Sequence, residues 1–199
     1  FGITLAKGIQ HILKIVPQLI DGKVPDVPEL AIKILSTLAT QVEDLQVLIC
    51  GLDKELKVWF RGSRVARRLE TIPGIGLITA TALAATVADP HQFTSGRKFA
   101  AWIGLTPKSN RSGGKERLGH ISKMGDQYLR RLLVNGMTSQ LRWIRSNPGS
   151  HRWAANLLTK KPPKLVAVAM ANKAARIAWA VMTRDEIYRK PQMTTGEVV

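Results

Sequence analysis

Leu69-Glu70-Thr71-Ile72-Pro73-Gly74-Ile75-Gly76-Leu77-Ile78-Thr79-Ala80 sets two glycines, one residue apart, between two apolar stretches. Proline stops a helix, and glycine permits the tight reversal that has to follow. The Pro-Gly-Ile-Gly core with Thr-Ala and an apolar helix behind it resembles a helix-hairpin-helix element. In such an element the backbone N–H groups opening the second helix face outward and can hold a phosphate. Contacts of this kind grip a sugar-phosphate backbone and read no bases. A plain turn between two packed helices is the alternative reading of the same residues.

On the N-terminal side of this turn the chain is basic: Arg61-Gly62-Ser63-Arg64-Val65-Ala66-Arg67-Arg68. The run is either a solvated helix face or a DNA contact, and its place just before the glycine turn favours DNA. Further upstream, Ala31, Leu35, Leu38, Val42, Leu45, Ile49, Leu52, Leu56 and Trp59 recur alternately four and three apart. That is a heptad seam held for about four repeats. It predicts a coiled coil or helical hairpin able to dimerise the chain; a long helix packed inside its own domain is the alternative. Ile3 to Ile20 also carries apolar residues at helical spacing, closed by Gly22, Pro25 and Pro28.

On the C-terminal side, Leu77 to Val87 reads as a helix stopped at Ala88-Asp89-Pro90. Thr94 or Ser95 suits the cap of a short helix through Trp102. Asp126 suits the cap of a helix carrying Tyr128, Leu129, Leu132, Leu133 and Met137. Helical patterns follow over Ser150 to Leu158 and Lys164 to Thr183. No stretch alternates with period two. The expected fold is therefore mainly α: a long coiled coil or helical hairpin, then a compact all-helical domain with a helix-hairpin-helix element. The expected regions are 1–68 for oligomerisation, 69–184 for the second domain and 185–199 for a loose tail.

Composition narrows the partners. Among 199 residues, 30 Lys and Arg face 14 Asp and Glu, a formal net charge of +16, with 45% hydrophobic residues. A core is possible, and the charge calls for a polyanion, nucleic acid first. A single cysteine, Cys50, excludes an intrachain disulfide and fits a reducing cytosol. One Cys and four scattered His make no four-ligand zinc pattern. No signal-peptide pattern is present. The apolar run from Leu165 to Met182 is broken by Asn172, Lys173 and Arg176, which predicts a buried amphipathic helix and no membrane partner. The expected location is cytoplasmic, at the nucleoid. Neither a Walker A pattern nor a dinucleotide fingerprint occurs.

The segment from Gly104 to Asp126 holds five glycines, three serines and five Lys or Arg. From Thr94 to Leu133, nine Lys or Arg stand against two acids, so a bound phosphate is well supported. A metal-dependent nuclease needs clustered carboxylates. Between Arg61 and Arg184 the acids are Glu70, Asp89, Glu116 and Asp126, scattered and in unlike contexts. What remains is attack by a hydroxyl, which needs an activating base and cations around the phosphorus. Ser112 has Lys115, Arg117, His120 and Lys123 near it in sequence; Ser109 and Ser122 are rivals on chemistry alone.

At this point the residues resemble a known family. Leu69 to about Leu133 is similar to the C-terminal transposase domain of the IS110 insertion-sequence transposases. The matching pieces are Ile72-Pro73-Gly74-Ile75-Gly76, Phe93, Ala100-Ala101-Trp102-Ile103-Gly104-Leu105-Thr106-Pro107, Ser112-Gly113-Gly114-Lys115, and Ile121 through Leu133. Ala171 to Trp179 resembles the end of members in the IS1111 branch. The resemblance implies an upstream RuvC-like domain whose acidic residues hold Mg²⁺, a coiled coil, and a composite site in which a serine forms a phosphoserine link to DNA. It also implies, for some members, a guiding bridge RNA and tetramers built from dimers.

Carried over, Ser112 is the nucleophile because it precedes Gly113-Gly114-Lys115, with Lys115, Arg117, His120 and Lys123 in support. Many members have Ser-Ser-Gly-Gly where this chain has Arg111-Ser112-Gly113-Gly114. The nucleic-acid contacts expected are Gly74, Gly76, Thr79, Arg64, Arg67, Arg68, Lys108, Arg111, Arg130 and Arg131. The acidic domain is missing from the sequence, so the chain is expected to be the C-terminal part of a longer transposase, inactive alone and binding no cofactor itself. A non-catalytic helix-hairpin-helix module for DNA or RNA junctions is the competing reading. An oligomerisation domain with incidental charge is a third.

Overall fold

The computed structural model describes residues 4–23, 27–112 and 115–189, and side chains throughout these except at residues 109–118. The helices are α1 (Ile9–Ile20), α2 (Glu29–Gly62), α3 (Arg64–Glu70), α4 (Leu77–Thr86), α5 (Gly96–Trp102), α6 (Gln127–Ser146), α7 (Arg152–Leu158) and α8 (Pro163–Arg184). Two strands, β1 (Pro107–Ser112) and β2 (Lys115–Ile121), stand between α5 and α6. The mainly helical class holds. The glycine-rich segment departs from this, expected as a loop inside an all-helical domain; much of it is an antiparallel β-hairpin.

The chain divides into two compact units, Phe1–Leu56 and Lys57–Val199. In the first, Val16 and Leu19 of α1 and Ala39 of α2 are buried. α2 runs 34 residues as one helix. Its early Ser and Thr hydroxyls fold back on the preceding turn, Ser36 onto the Ile32 carbonyl at 2.8 Å and Thr40 onto the Ser36 carbonyl at 3.1 Å. Its heptad seam stays open: Leu38, Leu45, Ile49 and Leu52 are all exposed.

The second unit is built around α8. One face of it, including Val166, Met170, Ala174, Ala178 and Val181, lies in the core. That face is rich in alanine, which lets α5 and α6 approach closely. Phe99, Leu69, Ile72, Leu83, Ile103, Leu129, Leu133 and Ile144 complete the interior. α8 has the length and mean hydropathy of a membrane span, yet eight of its residues are buried in this core, as a core helix requires. Local chemistry sets the helix starts. Ser63 accepts from the Ala66 N–H at 3.2 Å, Ser95 from Lys98 at 3.3 Å and Asp126 from Leu129 at 2.8 Å. Residues just past α8 dock on α3 and its C-cap: Asp185 pairs with Arg68, and the Tyr188 N–H donates to Thr71 Oγ1 at 2.9 Å.

Candidate functional site

The turn between α3 and α4 is shaped by two glycines with different tasks. Gly74 has φ of 85°, and a Cβ there would meet Met137 of α6 at 2.5 Å. Gly136 answers from the other side, since a Cβ on it would strike the Gly74 carbonyl oxygen. The pair lets the turn lie against α6, so Gly74 is placed by packing. Gly76 is the N-cap of α4, with no side-chain cap and no atom within 4 Å of where its Cβ would stand. The first N–H groups of a helix have no partner within it. Here they open at an uncovered end with exposed Ile78 beside it, and the helix dipole adds partial positive charge. Thr79 is 6% exposed, so its side chain belongs to the interior.

The arginines expected to assist separate into two kinds. Arg64 and Arg67 are exposed on α3. Arg68 is largely covered and paired with Asp185, so its charge is already partly answered. On α6, exposed Arg131 lies over the Tyr128 ring at 5.6 Å. Arg130 instead turns inward and donates from Nη1 to the Ile103 carbonyl at 2.8 Å. That makes Arg130 a strut.

The strut holds the root of the hairpin. The Leu105 N–H donates to the Ala100 carbonyl at 2.9 Å, Ser122 N–H to Thr106 at 2.8 Å and Lys123 N–H to Gly104 at 3.1 Å. Asn172 of α8 donates from Nδ2 to the Leu105 carbonyl at 3.1 Å. Gly104 and Gly125, both with positive φ, fit where a Cβ would collide with the backbone of Met124 and Trp102 respectively. Asn172 escaped notice as a positioning residue in the sequence because it sits 67 residues from its partner. From this root the strands pair Pro107 with Ile121, Ser109 with Leu118, Asn110 with Arg117, Arg111 with Glu116 and Ser112 with Lys115. Ser112 thus ends β1, next to the two-glycine connection, opposite Lys115 in backbone register. The expectations placed on the side chains of Ser112, Lys115, Arg117 and Arg111 lie outside the described residues. Lys108, His120 and Lys123 are described and exposed. Among the described residues, no three His, Cys, Asp or Glu come together as a metal cluster.

Residues 66–153 match the family described as the IS116/IS110/IS902 transposases. The y4pF/y4sB protein of Sinorhizobium fredii is 44% identical over 194 residues, covering 96% of this chain and 50% of the relative. The transposase for insertion sequence element IS1328 of Yersinia enterocolitica is 37% identical over 194 residues, 96% of this chain and 56% of the relative. That for IS1111A of Coxiella burnetii is 33% identical over 190 residues, 95% and 52%. The chain spans about half the length of the curated relatives it matches.

Proposed function

This chain belongs to the IS116/IS110/IS902 family of transposases, and on that premise we propose that it is the portion of a DNA recombinase that grips the DNA backbone and supplies Ser112 as nucleophile. The observation that carries the reading is the braced hairpin. Its root is tied to α5, α6 and α8, and its register brings Ser112 to the end of β1 opposite Lys115. A nucleophile gains most from a fixed position, because orientation removes entropy from the barrier. In the proposed step, the Ser112 Oγ–P bond forms as one ester P–O bond of the strand breaks. The departing deoxyribose oxygen takes a proton, and the serine proton passes to His120 or to a carboxylate of the upstream half. Attack by a strand hydroxyl on the phosphoserine then reverses the exchange. Lys115, Arg117 and Lys123 neutralise charge on the phosphorus.

The N-terminus of α4 and the exposed Arg64 and Arg67 serve as a backbone clamp in this reading. In the same reading an upstream RuvC-like domain would hold Mg²⁺ and supply its chemistry. The open seam of α2 supports a homodimer or a tetramer, and a guiding RNA is part of the same proposal.

The test uses the full-length protein with its element DNA and traps covalent adducts under denaturing conditions. The parent should yield a protein–DNA adduct, and Ser112→Ala should abolish it while binding persists. An adduct of undiminished yield in Ser112→Ala would show that another residue attacks. No adduct in either protein, with equal DNA affinity, would establish the non-catalytic binding module instead.

A further inference from the structure

Beyond the turn and the hairpin, a broad groove runs between α8 on one side and the N-terminus of α5 with the base of β2 on the other. Arg97, Lys123, Lys161, Lys164, Lys173 and Arg176 line it, with His120, and among the described residues none of the lining is acidic. α8 itself carries no Asp or Glu over its 22 residues. Its floor is apolar: Leu165 is 53% exposed there, beside the half-buried Val168 and Ala169. The Trp153 ring, also in the lining, is 43% exposed, with the Lys173 ammonium 4.8 Å from its centroid.

The geometry points to this groove as a binding site for a single polynucleotide strand, separate from the backbone clamp at α4. This inference rests on the reading of the chain as a nucleic-acid recombinase. A duplex shows phosphates outward and keeps its bases stacked inside, so an apolar floor and an exposed tryptophan would meet nothing it can offer. An unpaired strand has both faces to give. Its phosphates suit the Lys and Arg rim, and its bases can lie on Trp153 and the aliphatic floor. Lys164 to Arg176 spans about 18 Å of helix at 1.5 Å per residue, room for several nucleotides. His120 belongs to β2, the partner strand of the one that ends in Ser112, and Lys123 follows that strand by two residues. A strand lying in the groove is therefore led toward the hairpin.

Fluorescence anisotropy with the 199-residue chain tests this on three labelled probes of one mixed sequence: single-stranded DNA, single-stranded RNA and duplex DNA. K164E/R176E replaces two exposed residues of α8 that the recombinase reading does not use. It should weaken strand binding about tenfold or more and duplex binding less than about twofold. Trp153→Leu should weaken strand binding about fivefold by loss of stacking, again sparing the duplex. Circular dichroism checks that both variants stay folded. A preference of the parent for DNA or for RNA identifies the source of the strand. Unchanged strand affinity in both variants overturns the groove, as does an equal loss on strand and duplex. Displacement of the strand by an acidic amphipathic peptide that binds more tightly would assign the groove to a protein partner and overturn it as well. A parent that binds neither strand nor duplex would defeat the recombinase reading itself; a parent that binds duplex normally while strand affinity ignores the groove defeats only this inference.

Discussion

Gly74, Gly76 and Gly136 illustrate how one residue type answers different demands. Gly136 lies inside α6, where alanine would ordinarily stabilise a helix by about 1 kcal/mol. Here the added methyl runs into the Gly74 carbonyl, and overpacking of a backbone contact costs about 1–3 kcal/mol. Gly136→Ala should therefore lower the urea midpoint; a raised midpoint would mean that the turn is free to move away from α6. Gly76 faces the opposite situation. Its Cβ position is open and aspartate is a favoured N-cap, so Gly76→Asp should leave stability unchanged or raise it by up to about 1 kcal/mol. The new carboxylate stands where a phosphate is expected, so duplex DNA affinity at low salt should fall about threefold to tenfold. Equal affinities for variant and parent would detach α4 from DNA. Opposite signs in the two measurements separate a binding role from a folding role.

At the scale of elements, local signals were legible and long-range ones were not. The cap at Asp126 read directly from sequence, and the other was narrowed to Thr94 or Ser95, because a cap's partner N–H group lies three residues on; the structure uses Ser95. The hairpin was missed because the residues of β1 and β2, Pro-Lys-Ser-Asn-Arg-Ser and Lys-Glu-Arg-Leu-Gly-His-Ile, are mostly polar and show no apolar alternation along the chain. The signal that could have found it is Gly113-Gly114, the residue pair a two-residue hairpin connection favours. α2 shows the reverse case. Its heptads were plain, and the helix forms over 34 residues with the seam uncovered, Leu45 at 57% and Ile49 at 58% exposed. An apolar seam of this length gains by pairing. The parent chain should be at least dimeric in light scattering at tens of micromolar, and L45E/I49E should shift it toward monomer with the helical content of the second unit retained. A monomeric parent removes the seam as an interface.

For the whole molecule, the continuous hydrophobic core from Phe60 to Val181 lies entirely within the unit Lys57–Val199. A fragment of residues 57–199 should thus unfold cooperatively in urea, by circular dichroism and tryptophan fluorescence alike. A non-cooperative transition would mean that the first unit completes the fold. What the sequence by itself determined is whatever depends on neighbours along the chain: the helical class, the caps, the heptad seam, the glycine turn and the excess of positive charge. Family membership was also legible, because motifs such as Ile72-Pro73-Gly74-Ile75-Gly76 are contiguous. Only the tertiary structure decided which of the marked residues are free to act. Thr79 and Arg130 are turned to packing and bracing, Arg68 is paired with Asp185, and Asn172 is drawn 67 residues back to hold the hairpin. The physical reason is that burial and hydrogen-bond partners are set by close packing between distant segments, which residue spacing along one chain does not encode.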